Sequence, residues 1–315
     1  MSSFKEKHPM KLTQTAFGLL TLMRPANLVT AMGDTLAGLA IGGMISGAVA
    51  KDFHLLLQSD IAWLLLASVA LYAGGVVLND RADAGIDAIE RPERPIPSGI
   101  VSKRMASWFV SILFGIALGA SLLAGLPSFV VAVGTLVCIL CYDLIAKNHS
   151  VWGPLTMGCC RSGNLLLGSS LYLTAFPSYW PFLLVPLLYI ASITWISRFE
   201  VHGNGNQTGP LAIGAVVLIM AGLLIYGLQH LSSTWGIIVL LSLLLLFAGA
   251  TLPSFLRVLS SGKPGTVQFA VKRGVLSLTI LNSAIAASVG AVSMALIILS
   301  LLPLSIWVAR MFRVT

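Results

Sequence analysis

The sequence predicts an all-α integral membrane protein, a bundle of about nine transmembrane helices, and two observations carry that prediction. The 315 residues are 57% hydrophobic and only 10% charged, with a mean hydropathy of +0.93, which leaves too few polar side chains to cover a water-facing surface. Apolar runs of 19 to 24 residues recur along the chain, and each is long enough to cross a hydrocarbon core of about 30 Å as a helix.

The elements follow in order. The basic start MSSFKEKHPMKL leads into a short stretch broken at Arg24-Pro25 and shows no small-residue cleavage site, so it is not read as a cleavable signal. Residues 1–23 are expected to form a cytoplasmic segment with an interfacial helix over 12–22, and residues 24–315 a single transmembrane domain. Hydropathy places spans near 27–47, 60–79, 104–124, 127–145, 153–174, 179–197, 209–228 and 234–256. A last apolar region, 267–310, is too long for one crossing. It is either an interfacial helix plus one span or two spans turning near Gly290, and nine helices in all is the favoured number.

Charge sets the orientation. The net charge of +8 could suit nucleic acid, but the Lys and Arg residues flank hydrophobic spans and form no single basic run, so no nucleic-acid partner is expected. With a cytoplasmic N-terminus, the 80–104 loop, Lys147, Arg198, Arg257, Lys263, Lys272 and Arg273 fall inside and only Lys51 clearly lies opposite, as positive-inside topology requires. Arg310 and Arg313 stay inside only if the number of spans is even. Cys138, Cys141, Cys159 and Cys160 all sit in apolar stretches, where packing explains them better than redox or zinc chemistry.

One stretch stands apart. LNDRADAGIDAIERPERPIPSG, residues 78–99, gathers five of the eleven acidic residues at the end of the second span. Asn79, Asp83 and Asp87 recur every four residues, so each step turns only about 40° around a helix, and Asp80 lies beside their stripe. Like charges at that spacing repel and are unfavourable at a membrane edge unless a cation neutralises them. Carboxylate and amide oxygens suit Mg²⁺, which typically takes one or two carboxylates and completes its shell with water and substrate phosphates. The cluster therefore reads as a metal-bridged diphosphate site.

NDRADAGID also resembles the NDxxDxxxD signature of the UbiA family of intramembrane prenyltransferases, and RPERPIPSG is similar to the loop that follows it. MRPANLVTAMGDTLAG resembles the family's first helix and YDLIAK its Tyr-x4-Lys segment; within the family, CRSGNLLLG is similar to the EboC-type members. The resemblance implies helices around a lipid-accessible cavity and Mg²⁺-dependent transfer of a polyprenyl group from an isoprenyl diphosphate to a small, usually aromatic acceptor. It implies a multi-pass protein with the site facing the cytoplasm, in the cell inner membrane if the source is bacterial, with membrane lipid as surroundings and no protein partner specified. By position, Asn79, Asp83 and Asp87 hold metal and diphosphate, Asp80 and Tyr142 support substrate binding, and Arg94 and Lys147 neutralise phosphate. Asp83, Asp87 and Lys147 are the catalytic candidates.

The chain departs from the family where a second aspartate motif is expected. SRFEVHGNGNQTG keeps the four-residue spacing in Glu200 and Asn204, the candidates for a second metal position, with one carboxylate fewer. Asp34, Asp143 and Arg161 lie within or at the edges of spans and need partners: Arg161 either pairs with Asp34 or Asp143 to fix packing or, with Asn164 three residues on, binds substrate. A non-catalytic membrane carrier for a prenyl lipid is the competing function. The intact first motif favours the enzyme and the weakened second one the carrier.

Overall fold

In the computed structural model, which describes residues 9–48, 59–199 and 208–311, proline and glycine set most of the helix boundaries. Helix α1 (Pro9–Leu22) stops at Arg24, whose backbone adopts the left-handed φ of 50°, and α2 (Pro25–Ile45) begins on the proline, whose missing N–H costs nothing in a first turn. Helix α3 (Ser59–Glu90) runs 32 residues, about 48 Å at 1.5 Å per residue. That exceeds the apolar core of a bilayer, so its last turns carry the acidic motif beyond the hydrophobic part of the rod. A loop with Gly99 at φ 78° returns the chain to α4 (Lys103–Ala124), capped by Ser102, whose Oγ accepts the Met105 amide at 3.1 Å.

Helix α5 (Leu126–Cys141) ends in a π-helical turn over Tyr142–Ala146. Helix α6 (Trp152–Ser169) is followed by 3₁₀ turns, the one-turn α7 (Phe176–Tyr179) and α8 (Leu184–Ser197). Then come α9 (Gly209–His230), α10 (Thr234–Ser261), α11 (Pro264–Ser288) and α12 (Val292–Met311).

Among the described residues nine stretches are long and apolar enough to cross a membrane. One of them, Trp152–Ser197, is 46 residues long and folds back on itself, with α6 packed along α8, so it supplies two rods. The final apolar region resolves as α11 and α12 turning at Gly290, whose φ of 87° suits glycine. Helix α12 returns to the end of the bundle where α2 begins, since the Ser305 hydroxyl donates to the Ala26 carbonyl at 3.0 Å. Arg310 thus shares an end with Arg24; Arg313 lies outside the described residues.

Two apolar cores form, one from α3, α4 and α5 with Leu22, the other from α8 to α12, with α2 and α6 chiefly in the second and in reach of both. Close contact between α2 and α6 depends on glycine. A Cβ at Gly168 would lie 1.9 Å from the Thr35 carbonyl oxygen, and one at Gly38 1.9 Å from that of Leu165. Small residues of this kind let membrane helices approach backbone to backbone. Gly168→Ala is expected to cost about 1–3 kcal/mol by overpacking, whereas Gly119→Ala, with nothing within 4 Å, is expected to be neutral or slightly stabilising. Thermal unfolding in detergent checks this: equal melting of the two variants would mean the helices do not meet so closely.

Candidate functional site

The acidic end of α3 turns its carboxylates inward. Asp80 and Asp87 are seven residues apart, only about 20° around the axis, and both are buried, at 6% and 5% exposure. One side chain clamps them: Arg94, in the loop after α3, reaches Asp87 Oδ2 at 2.8 Å and Asp80 Oδ1 at 3.2 Å with the same Nη1. Arg24 adds a second contact to Asp80 at 2.7 Å, from its left-handed position between α1 and α2. Such a backbone costs of the order of 1–2 kcal/mol for a residue with a Cβ, and the ion pair helps hold it there.

Asp83 faces the neighbouring helix and forms an ion pair with Lys147. The π-helical turn at the end of α5 makes this possible: the Lys147 amide bonds back to the Tyr142 carbonyl at 2.9 Å, a wider loop than an α-helix allows. Arg198, at the end of α8, fixes the following segment by donating to the carbonyls of Asn148 and His149 at 2.9 Å and of Lys147 at 3.3 Å. Asp143, in the same turn and buried, accepts the Asn79 amide at 2.8 Å. Asn79 Nδ2 is thereby committed and its carbonyl oxygen is the end left for a ligand.

Beside these groups lies a cavity of about 230 Å³ between α3, α5 and α6. Asn79, Asp143, Tyr142 and Arg24 line it at the acidic end; Tyr72, Val76, Ile139 and Met157 provide apolar wall; Arg161 and Asn164 line it from α6. Arg161 pairs with Asp34, its Nε 2.9 Å from Oδ2, and not with Asp143. Its Nη2 donates to Thr30 at 2.6 Å, and its guanidinium lies 5.1 Å from the Tyr72 ring centroid. Asp34 is fully buried and also accepts the amides of Asn282 at 2.7 Å and Asn164 at 3.2 Å.

The structure thus brings Asn79, Asp80, Asp83, Asp87, Arg94, Tyr142 and Lys147 to one end of the bundle, with Arg161 and Asn164 on the same cavity. Asp80 lies beside the stripe next to Asp87, as the spacing argument expects, because a seven-residue step nearly closes, while the four-residue step drifts so that Asp83 turns toward Lys147 instead of Arg94. Glu200 and Asn204 lie outside the described residues. Sequence reasoning missed Arg24 and Arg198 as site-building side chains; the RP step before α2 was the one signal for Arg24.

Among the described residues no three His, Cys, Asp or Glu side chains converge as a ligand group. The donor set nevertheless fits Mg²⁺ with a diphosphate, which needs few carboxylates from the protein. Asn79 offers a hard carbonyl oxygen, and Asp80, Asp83, Asp87 and Asp143 supply carboxylate oxygens in the same cluster. The four cysteines are free and half-buried, as packing residues are.

The sequence profile of the UbiA prenyltransferase family matches residues 35–267. A protein of Methanopyrus kandleri named digeranylgeranylglyceryl phosphate synthase is 29% identical over 269 residues, 82% of this chain and 94% of its own length. One of the same name from Methanothrix thermoacetophila is 33% identical over 208 residues, 64% of this chain and 69% of its own length. Among solved structures, a UbiA homologue from Archaeoglobus fulgidus bound to GPP and Mg²⁺ superposes with a TM-score of 0.58 at 13% identity, covering 88% of this chain and 99% of that one. A structure of digeranylgeranylglyceryl phosphate synthase gives 0.58 at 21% identity, covering 90% and 99%.

Proposed function

Because this chain belongs to the UbiA prenyltransferase family, we propose that this multi-pass membrane prenyltransferase moves a geranylgeranyl-type group from its diphosphate to a prenylated glyceryl phosphate. The carrier alternative gives way with family membership. The aromatic acceptor implied by the family at large gives way to a glyceryl phosphate, the class in the names of the relatives that match over most of their length. The observation that carries the reading is the juxtaposition of acid and base clamps, Asp80 and Asp87 with Arg94 and Asp83 with Lys147, beside an apolar-walled cavity.

Asn79, Asp83 and Asp87 are the residues that would hold Mg²⁺ with the diphosphate, where the cation supplies charge balance for the leaving group. Asp80, itself held by Arg24, and Asp87 hold Arg94 in place, and Arg94 and Lys147 neutralise phosphate oxygens as charge builds on them. Tyr142 lines the cavity beside Asn79 and Asp143. Transfer breaks the bond from the allylic carbon to the diphosphate oxygen, whose electron pair leaves with diphosphate. The acceptor hydroxyl oxygen forms the new carbon–oxygen bond and its proton passes to a cavity base, for which Asp143 is the carboxylate on the same wall. Tyr72, Val76, Ile139 and Met157 keep water from the allylic cation. The positive-inside pattern supports a cytoplasmic position for this end of the bundle, and Glu200 and Asn204 remain the proposed second metal position.

The test is a purified preparation in lipid nanodiscs given geranylgeranyl diphosphate, Mg²⁺ and either geranylgeranylglyceryl phosphate or a hydroxybenzoate. The expected result is one diphosphate released per digeranylgeranylglyceryl phosphate formed, identified by mass. Prenylation of the aromatic acceptor alone would overturn the assignment.

A further inference from the structure

Two buried polar atoms, on side chains that line the cavity, have no hydrogen-bond partner. Arg161 Nη1 and Asn164 Oδ1 are both shut off from solvent without a hydrogen bond, on side chains 6% and 5% exposed. The rest of each side chain is committed. Arg161 Nε is close enough to Asp34 for an ion pair, although not aligned as a hydrogen bond, and Nη2 donates to Thr30. Asn164 Nδ2 donates to the Ala31 carbonyl at 2.9 Å and to Asp34 at 3.2 Å. Both of those partners can only accept, so the amide is oriented by its surroundings and the unpartnered atom is the oxygen.

An unmet charged donor and an unmet carbonyl acceptor are costly to bury. They lie three residues apart on α6 and so share a helix face. The pair is complementary to a group that both accepts and donates a hydrogen bond. A phosphate or carboxylate would satisfy Arg161 and be repelled by the carbonyl oxygen of Asn164. A hydroxyl satisfies both, because its oxygen accepts from Nη1 while its proton is donated to Oδ1.

Depth in the bundle agrees. Tyr72, which stacks on Arg161, is seven residues before Asn79 on α3, about 10 Å further from the acidic end. Asn79, Asp143 and Arg24 line the cavity toward the acidic end of α3, and Arg161 and Asn164 line it from α6 beside Tyr72. We propose that Arg161 and Asn164 form the subsite that holds the free hydroxyl of the acceptor, the nucleophile of the transfer, before its proton passes to Asp143, with Arg161 Nη1 donating to its oxygen and Asn164 Oδ1 accepting its hydrogen. Asp34, Thr30 and Asn282 are positioning residues: they hold the guanidinium and the amide so that one donor and one acceptor are left for the ligand. The proposal rests on the glyceryl phosphate reading and adds which side chains read the hydroxyl.

The experiment compares affinities of geranylgeranylglyceryl phosphate and its deoxy analogue, in which hydrogen replaces the free hydroxyl, by competition binding to the full-length protein in nanodiscs. The wild type is expected to prefer the hydroxyl compound by at least about tenfold, since a site built to bond a hydroxyl leaves its own groups unpaired when it is missing. Arg161→Lys keeps the charge beside Asp34 but loses the fork, and Asn164→Ala loses the acceptor; each is expected to bring the preference below about threefold. A merely structural role would weaken both compounds alike and leave their ratio unmoved, which would overturn the proposal. If a variant does not fold, the wild-type ratio decides by itself: equal affinity for the two compounds overturns the proposal. Binding of donor diphosphate but of neither glyceryl phosphate removes the functional reading and this subsite together, whereas binding of both without discrimination removes the subsite alone.

Discussion

Asp83→Asn is expected to lower prenyl transfer by about 10²–10³-fold, the range seen when one electrostatic contact to developing charge is removed, equivalent to about 2.7–4 kcal/mol. The side chain keeps its size, so the effect isolates the charge. Asp83 is bound by Lys147, is about a quarter exposed and lies at the end of α3 outside both apolar cores, and the Lys147 ammonium it leaves is partly rather than fully buried. The variant should insert, purify and melt within a few degrees of the wild type. Turnover is measured as diphosphate release with geranylgeranyl diphosphate across a Mg²⁺ series. Near-normal turnover at every Mg²⁺ concentration would remove Asp83 from the site.

The second large effect is on stability. Asp34→Ala removes the partner of a buried guanidinium inside the bundle, strands the amide of Asn282 and leaves that of Asn164 only its bond to the Ala31 carbonyl. Breaking a buried pair by deleting one member costs about 3–5 kcal/mol, chiefly because the other charge stays buried and uncompensated. Asp34→Ala combined with Arg161→Met should recover much of that loss, since no charge then remains. Thermal unfolding in one detergent measures both. A single variant as stable as the wild type would show that water or lipid headgroups already reach Arg161, and that the pair does not hold α2 against α6.

The acidic motif shows how far spacing alone can go. Which residues are oxygen donors, that they follow a span and that they share a helix were all legible, because a four-residue period is a property of one helix. Which carboxylates face inward was less so: Asp80 and Asp87 converge on Arg94 only because a loop of the right length folds back after Glu90. The partner of Arg161 stayed open between Asp34 and Asp143, as both stand at compatible depths. Glycine contacts between α2 and α6 brought Thr30 and Asp34 to the guanidinium and settled it.

By itself the sequence determined the membrane bundle, the order of its rods, the acidic helix end and the basic side chains that face it. These depend on apolar length and on local helical period, which neighbours along the chain dictate. Only the tertiary structure decided that Arg24 reaches Asp80 from a left-handed backbone and that Arg161 and Asn164, which line the cavity, each keep one buried atom unpaired. Those facts arise between residues 56 to more than 100 positions apart, where close packing chooses among pairings that hydropathy leaves equivalent.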